Sequence, residues 1–186
     1  MNLCYIQARG GSKRFPMKAL ALWNGIPMLG DAIQKAQATG LFDYIVVSSD
    51  SPEILQVAHD YGAMPLWRTA EASSDTATDD DVAREVLAYF PKVERICKIY
   101  PCIPLIESSL IKSMFKEMSC RHYDGVYLTD MNCKDAGACY MFRRTIYRQL
   151  DSIALKKYPW VQFNTPYACD INTPEDLEIA KQKAGK

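Results

Sequence analysis

Four cations, two adjacent glycines and a serine fall within one short stretch, Gln7-Ala8-Arg9-Gly10-Gly11-Ser12-Lys13-Arg14-Phe15-Pro16-Met17-Lys18. Glycines let backbone N–H groups converge on an anion, and Arg9, Lys13, Arg14 and Lys18 place positive charge beside it. The apolar run just before, Leu3-Cys4-Tyr5-Ile6, reads as a buried strand. A strand that empties into such a loop is suited to holding polyphosphate. The spacing matches neither Gly-x-x-x-x-Gly-Lys-[Ser/Thr] nor Gly-x-Gly-x-x-Gly, which excludes those two phosphate loops. Gly10, Gly11 and Ser12 are the candidates for backbone contacts; spacing alone does not decide which cation meets which phosphate.

Other reactive residue types are less specific. Asp79-Asp80-Asp81 has the composition of a metal cluster, but a charged helix N-terminus favoured by the macrodipole is the simpler reading. None of the 7 cysteines forms Cys-x-x-Cys, and His59 and His122 lie in no ligand spacing. Several of the cysteines sit in apolar, strand-like runs, which points to buried free thiols. Tyr158, Trp160, Phe163 and Tyr167 form an aromatic group whose simplest role is packing.

The elements that must position the loop alternate. Strands are expected at residues 3–7, 44–48, 95–100, 124–129 and 137–142. Helices are expected at residues 28–39, from 52 to Gly62, and at 80–89, 108–119, 143–150 and 174–183. Ser51-Pro52 and Thr173-Pro174 supply helix starts, and Gly40 a stop. This alternation predicts an α/β fold with a mostly parallel sheet and right-handed crossovers. Ligands of such sheets sit at the carboxyl ends of the strands, which would gather the first loop, Ser49-Asp50, residues 101–104 and Asp170 at one edge.

The chain has 186 residues, enough for one domain spanning 1–186 with a real core. Its 22 basic and 22 acidic residues cancel, so nothing suggests general attraction to nucleic acid or membrane. No run is long enough to span a bilayer and no signal-peptide core lies near Met1, so a cytoplasmic location is expected.

Ala8-Arg9-Gly10-Gly11-Ser12-Lys13-Arg14, with Pro16 and Lys18, resembles the signature of the sugar-acid cytidylyltransferases. These are the CMP-sialic acid synthetases and, more closely, the pseudaminic acid cytidylyltransferases. The likeness continues through Gly25-Ile26-Pro27-Met28-Leu29, Val46-Val47-Ser48-Ser49-Asp50, Arg68-Thr69-Ala70-Glu71 and Ser74-Asp75-Thr76-Ala77. It extends through Ile99-Tyr100-Pro101-Cys102-Ile103-Pro104-Leu105, Asp135-Ala136-Gly137 with Tyr140, and Cys169-Asp170-Ile171-Asn172-Thr173-Pro174. The resemblance implies a Rossmann-like nucleotide-diphospho-sugar transferase fold, a three-layer α/β/α sandwich. It also implies a reaction in which a sugar-acid hydroxyl attacks the α-phosphate of CTP, with magnesium as cofactor.

By the same resemblance Arg9, Ser12, Lys13 and Lys18 hold the triphosphate, with Lys18 nearest the reacting phosphorus and Ala8, Gly10 and Gly11 completing the loop. Arg68 faces the cytosine side, Asp75 and Thr76 line the nucleotide pocket, and Asp170 and Asn172 are the metal positions. Three departures stand out. Asn172 replaces the second aspartate of the family's Asp-x-Asp, and Ala19 replaces an asparagine that contacts cytosine in the sialic acid enzymes. Only residues 130–134 stand where the family carries a dimer arm and part of the acceptor pocket. A monomer, or a dimer through another surface, is therefore expected. Two alternatives stay open: a reduced nucleotide-binding relative, and transfer to another acceptor such as a deoxyoctulosonate-type sugar acid.

Overall fold

The computed structural model describes residues 1–121, 123–145, 161–167 and 169–185. The chain opens with β1 (Asn2–Gln7), the cationic loop and a single 3-10 turn (Lys18–Leu20). A small hairpin of β2 (Leu22–Trp23) and β3 (Ile26–Pro27) leads into α1 (Met28–Thr39). There follow β4 (Tyr44–Ser49), α2 (Pro52–Asp60), β5 (Met64–Trp67), α3 (Ala70–Ser73), α4 (Asp79–Tyr89) and β6 (Arg95–Ile99). The remainder is α5 (Ser108–Cys120), β7 (Gly125–Thr129), β8 (Asp135–Arg143), β9 (Val161–Asn164) and α6 (Pro174–Ala184).

Seven strands form one sheet in the order β5-β4-β1-β6-β8-β7-β9. All neighbours run parallel except β8, which is antiparallel to both β6 and β7. The period-two alternation of each strand sorts its side chains to two faces. Cys4, Ile6, Cys97, Ile99, Met141 and Leu128 pack under α1, α2 and α5. Leu3, Tyr5, Ile96, Tyr140 and Phe142 pack under α4. This is the expected three-layer arrangement. A third apolar group joins Trp23, Met28, Cys102, Ile171 and Leu177, seating α6 against the hairpin and the turn after β6.

Local chemistry explains the boundaries. The Ser51 hydroxyl accepts from the Ile54 amide, and Pro52 occupies the first turn of α2. Thr78 with Asp81 and Thr173 with Asp176 form reciprocal capping boxes at the starts of α4 and α6. Gly40 ends α1 in the left-handed conformation at φ 64°.

Besides the small hairpin of β2 and β3, two strands of the main sheet exceed the sequence reading. β5 contains Pro65, which suits only a sheet edge, and an edge is where β5 lies. β9 takes in Phe163 of the aromatic group, while Tyr167 is exposed and residues 158–160 lie outside the described residues. β8 starts at Asp135 and runs through Arg143, so the helix expected at 143–150 begins no earlier than Arg144; residues 146–150 lie outside the described residues.

Gly30 on α1 faces the ring of Tyr61, where a Cβ would come within 2.5 Å of a ring carbon. Gly30→Ala gains about 1 kcal/mol of helix propensity but overpacks against that ring, at about 1–3 kcal/mol. Thermal unfolding should show a lower midpoint for Gly30→Ala. In a Tyr61→Ala background the same change should raise the midpoint.

Candidate active site

The carboxyl ends of β1, β5 and β6 open onto a cavity of about 740 Å³. It is lined by Ala8, Arg9, Ser12 and Lys13 with Asp75 paired to them, by Lys18 together with Asp170 and Asn172, and by Arg68. Sites of this volume take ligands of nucleotide size. Gly10, Gly11 and Thr76 do not line it. Thr76 lies in a neighbouring shallow groove with Thr69 and Glu71.

The loop is held at both ends. The Ala8 amide donates to the Ser48 carbonyl at 3.1 Å, and the Met17 amide closes the loop on the Gly10 carbonyl at 3.2 Å. The Gly10 amide donates to Asp50 Oδ1 at 2.9 Å. A Cβ at Gly10 would lie 3.2 Å from both Met17 Sδ and Ser51 Cβ, so close backbone approach explains this glycine. With Gly10 engaged, the loop amides that meet no protein acceptor among the described residues include Gly11 and Ser12.

Asp75 already balances part of the loop's charge. Its carboxylate lies 2.8 Å from Lys13 Nζ and 3.5 Å from Arg9 Nη1. The hydrogen bond and charge of Lys13 hold its carboxyl below the usual range. These groups are exposed, and such pairs exchange readily for a better anion. Arg68 is different: it is buried, and donates from Nε to Ser48 Oγ at 3.0 Å and from Nη2 to the Ser48 carbonyl at 2.6 Å. Burial pushes its pKa down, opposed by Asp50 and Glu85. Its guanidinium braces the end of β4 while lining the cavity.

At the opposite corner, Lys18 Nζ donates to the Ile171 carbonyl at 3.1 Å and to Asn172 Oδ1 at 3.2 Å. Asn172 Nδ2 in turn donates to Asp170 Oδ2 at 2.7 Å. Ile171 is fully buried, and its amide donates to the Cys102 carbonyl at 2.9 Å. Cys102 Sγ lies in the same wall, its thiol pushed up to about 11 by burial against the opposing influence of Lys18.

Beneath the cavity floor lies a network that sequence reasoning missed. Lys98 is fully buried and meets Asp79 Oδ2 at 2.5 Å. Asp79 also accepts from the Tyr100 hydroxyl at 2.6 Å and from Gln7 Nε2 at 2.7 Å. The Lys98 ammonium sits over the rings of Tyr100 and Tyr140, 4.5 and 4.7 Å from their centroids. Tyr140 donates to Asp135 at 2.9 Å. Burial alone would raise the Asp79 carboxyl, but Lys98, Tyr100 and Gln7 outweigh it and hold it below the usual range. Burial pushes Lys98 down against the pull of Asp79. Burial and the Asp79 charge drive the Tyr100 hydroxyl far above its ordinary range, so it stays a donor. The signal for this network was present: a lysine inside the apolar run Ile96-Cys97-Lys98-Ile99 must find an acid. Asp79 thus has a partner of its own, and Asp81 supplies the helix cap. Among the described residues no three His, Cys, Asp or Glu side chains converge as a metal cluster.

With the geometry in hand, comparison with known proteins settles the family. Residues 3–159 match the model of the family described as Cytidylyltransferase. This chain is a cytidylyltransferase. The pseudaminic acid cytidylyltransferase of Campylobacter jejuni is 27% identical over 219 aligned positions, covering 97% of this chain and 94% of the relative. That alignment is longer than the 186 residues of this chain, so the relative carries residues this cytidylyltransferase lacks. N-acylneuraminate cytidylyltransferase A of Danio rerio is 32% identical over 122 residues, 66% of this chain and 28% of the fish protein.

Among solved structures, CMP:2-keto-3-deoxy-manno-octonic acid synthetase complexed with CTP superposes with a TM-score of 0.77 at 17% identity, covering 99% and 98% of the two chains. Rv0371c of Mycobacterium tuberculosis, in complex with manganese, gives 0.71 at 14% identity, covering 97% and 98%. At these identities the structural matches establish the Rossmann-like nucleotidyltransferase fold. No helix among the described residues is long and apolar enough to cross a membrane.

The buried pair gives an asymmetric expectation. Asp79→Ala strands a fully buried ammonium and should cost about 3–5 kcal/mol in denaturant unfolding. Lys98→Met leaves a carboxylate whose side chain is 43% exposed, so it should cost less. The Asp79 contribution is fully present above the unfolded carboxyl pKa of about 3.9 and is lost as pH falls through the lower folded value. The stability gap between wild type and Asp79→Ala should therefore close with acidification below pH ~4.

Proposed function

We propose that this cytidylyltransferase transfers CMP from CTP to a nonulosonic sugar acid of pseudaminic type and releases pyrophosphate. The observation that carries the proposal is the gathering of Arg9, Ser12, Lys13, Lys18 and Asp170 around one nucleotide-sized cavity. The near full-length likeness to a pseudaminic acid cytidylyltransferase supports the acceptor class. In this reading the anomeric hydroxyl attacks the α-phosphorus, a new P–O bond forms, and the bond to the β-phosphate oxygen breaks with pyrophosphate leaving. No covalent enzyme intermediate is required; positioning and charge stabilisation suffice.

Each residue has a task that its surroundings suit. Arg9 and Lys13 exchange Asp75 for the phosphates, while the Ser12 amide donates to them. Lys18 stands nearest the reacting phosphorus. Arg68 keeps the base side rigid through Ser48. Asp170 supplies the carboxylate of the far corner. Magnesium prefers hard oxygen ligands, and the Asp170 carboxylate is one. The Asn172 carbonyl oxygen is taken by Lys18 and its amide N–H faces Asp170, so the two residues together do not fit a shared ion.

The proposal places the reaction in the cytoplasm, with no nucleic-acid or membrane partner and no arm-mediated dimer. Residues 130–134 make only a tight hairpin between β7 and β8, closed by the Asp130 amide on the Lys134 carbonyl at 2.8 Å.

Pyrophosphate release from CTP with pseudaminic acid, N-acetylneuraminic acid and a deoxyoctulosonate tests the proposal. Turnover is expected with the pseudaminic-type acid. Lys18→Ala and Arg9→Ala should each lower kcat/KM by about 10²-fold or more. Turnover with the deoxyoctulosonate alone would reassign the acceptor, and CTP binding without release from any acid would make the protein a nucleotide-binding relative.

A further inference from the structure

We infer that Asn172 is a positioning residue for Lys18 and not a metal ligand, and that the Lys18–Asn172–Asp170 chain stands in for a protein-held ion at this corner. The inference rests on reading the cavity as a nucleotide site. Its core is the orientation of one amide. An ammonium only donates hydrogen bonds and a carboxylate only accepts them. Lys18 lies 3.2 Å from one end of the Asn172 amide and Asp170 lies 2.7 Å from the other. Only one orientation satisfies both neighbours: carbonyl oxygen toward Lys18, amide nitrogen toward Asp170. The flipped amide would set N–H against the ammonium and oxygen against the carboxylate, losing both bonds and adding two repulsions.

An asparagine ligates a hard cation through its carbonyl oxygen. Here that oxygen is spent on Lys18, and a donor group occupies the approach between Asn172 and Asp170. The corner is also balanced without an ion. The Asp170 charge is met by the Asn172 N–H, and the Lys18 charge by two oxygens, so no unpaired carboxylates call for a cation. With an aspartate at 172 the same place would hold two neighbouring carboxylates, an arrangement that recruits a divalent ion.

The backbone makes the clamp rigid. Ile171 is buried between its two polar neighbours, and the backbone N–H of Asn172 donates to Asp176 Oδ2 at 2.9 Å inside the α6 cap. Lys18 has three N–H donors, and two go to the Ile171 and Asn172 oxygens. Tetrahedral geometry then sets the direction of the third. Asn172 thus acts on the substrate through Lys18.

The test combines two readouts. Electron paramagnetic resonance with Mn²⁺ on the nucleotide-free protein should show no bound ion for wild type at sub-millimolar metal, and one bound ion for Asn172→Asp. Calorimetry of CTP in EDTA should show about tenfold weaker binding for Asn172→Ala and for Lys18→Met, and no further loss in the double variant, because both remove one interaction. A wild-type Mn²⁺ site that Asn172→Ala abolishes, a failure of Asn172→Asp to gain one, or additive losses in the double variant would overturn the inference. The Mn²⁺ arm needs no nucleotide, so a chain that never binds CTP would sink the proposed function while leaving this result readable.

Discussion

The site depends on a single buried side chain, Ile171, being seated in apolar surroundings made by Trp23, Met28, Cys102 and Leu177. That seat joins the last helix to the hairpin after the first loop and to the turn after β6. It fixes the backbone carbonyl that receives Lys18, a residue 153 positions earlier in the chain. The polar neighbours on either side of Ile171 then emerge at the cavity wall with little freedom. Apolar burial supplies the energy, and hydrogen bonds convert it into direction. Without that seat the cationic loop would face open solvent, and its charges would have no opposing wall.

Charge in this molecule is neutral in sum and strongly uneven in place. Above the floor, Arg9 and Lys13 are paired with an exposed aspartate that a phosphate can replace. Below it, Lys98 is fully buried and paired with Asp79, which Tyr100 and Gln7 also hold. The two pairs look alike on paper and differ in burial, which is what separates a labile partner from a fixed one. The buried pair ties α4 to the middle of the sheet and holds Gln7 and Tyr100 in place where β1 and β6 deliver them to the cavity. The exposed pair keeps the empty loop from repelling itself.

Much of this was legible before any coordinates. Alternation of apolar runs and capped helices was enough for the layered α/β fold, because Ser51-Pro52, Thr173-Pro174 and Gly40 act through local chemistry. The loop was legible for the same reason, and family resemblance added Arg68, Asp75 and Asp170. What escaped depended on contacts distant in sequence. β5 hides behind Pro65, which is tolerated only because β5 is an edge. Lys98 looked like an interruption of a strand, and its partner is 19 residues away on another element. Asn172 could be read as a cap or as a ligand from sequence. Its amide orientation is decided by Lys18 at one end and Asp170 at the other, and only the folded chain brings Lys18 there.

β8 carries one more consequence. As the one strand reversed within an otherwise parallel sheet, it delivers its beginning to the edge where the other strands deliver their ends, and Gly137 meets the cavity wall there. The turn at 130–134, which joins β7 to β8, lies at that same edge of the sheet, and Asn164 Nδ2 donates to its Cys133 Sγ at 3.8 Å. Residues added or removed at this turn leave the pairing of β8 with β6, which spans Cys139 to Arg143, untouched. The fold has thus set aside a connection at the carboxyl edge whose length can change without refolding the sheet.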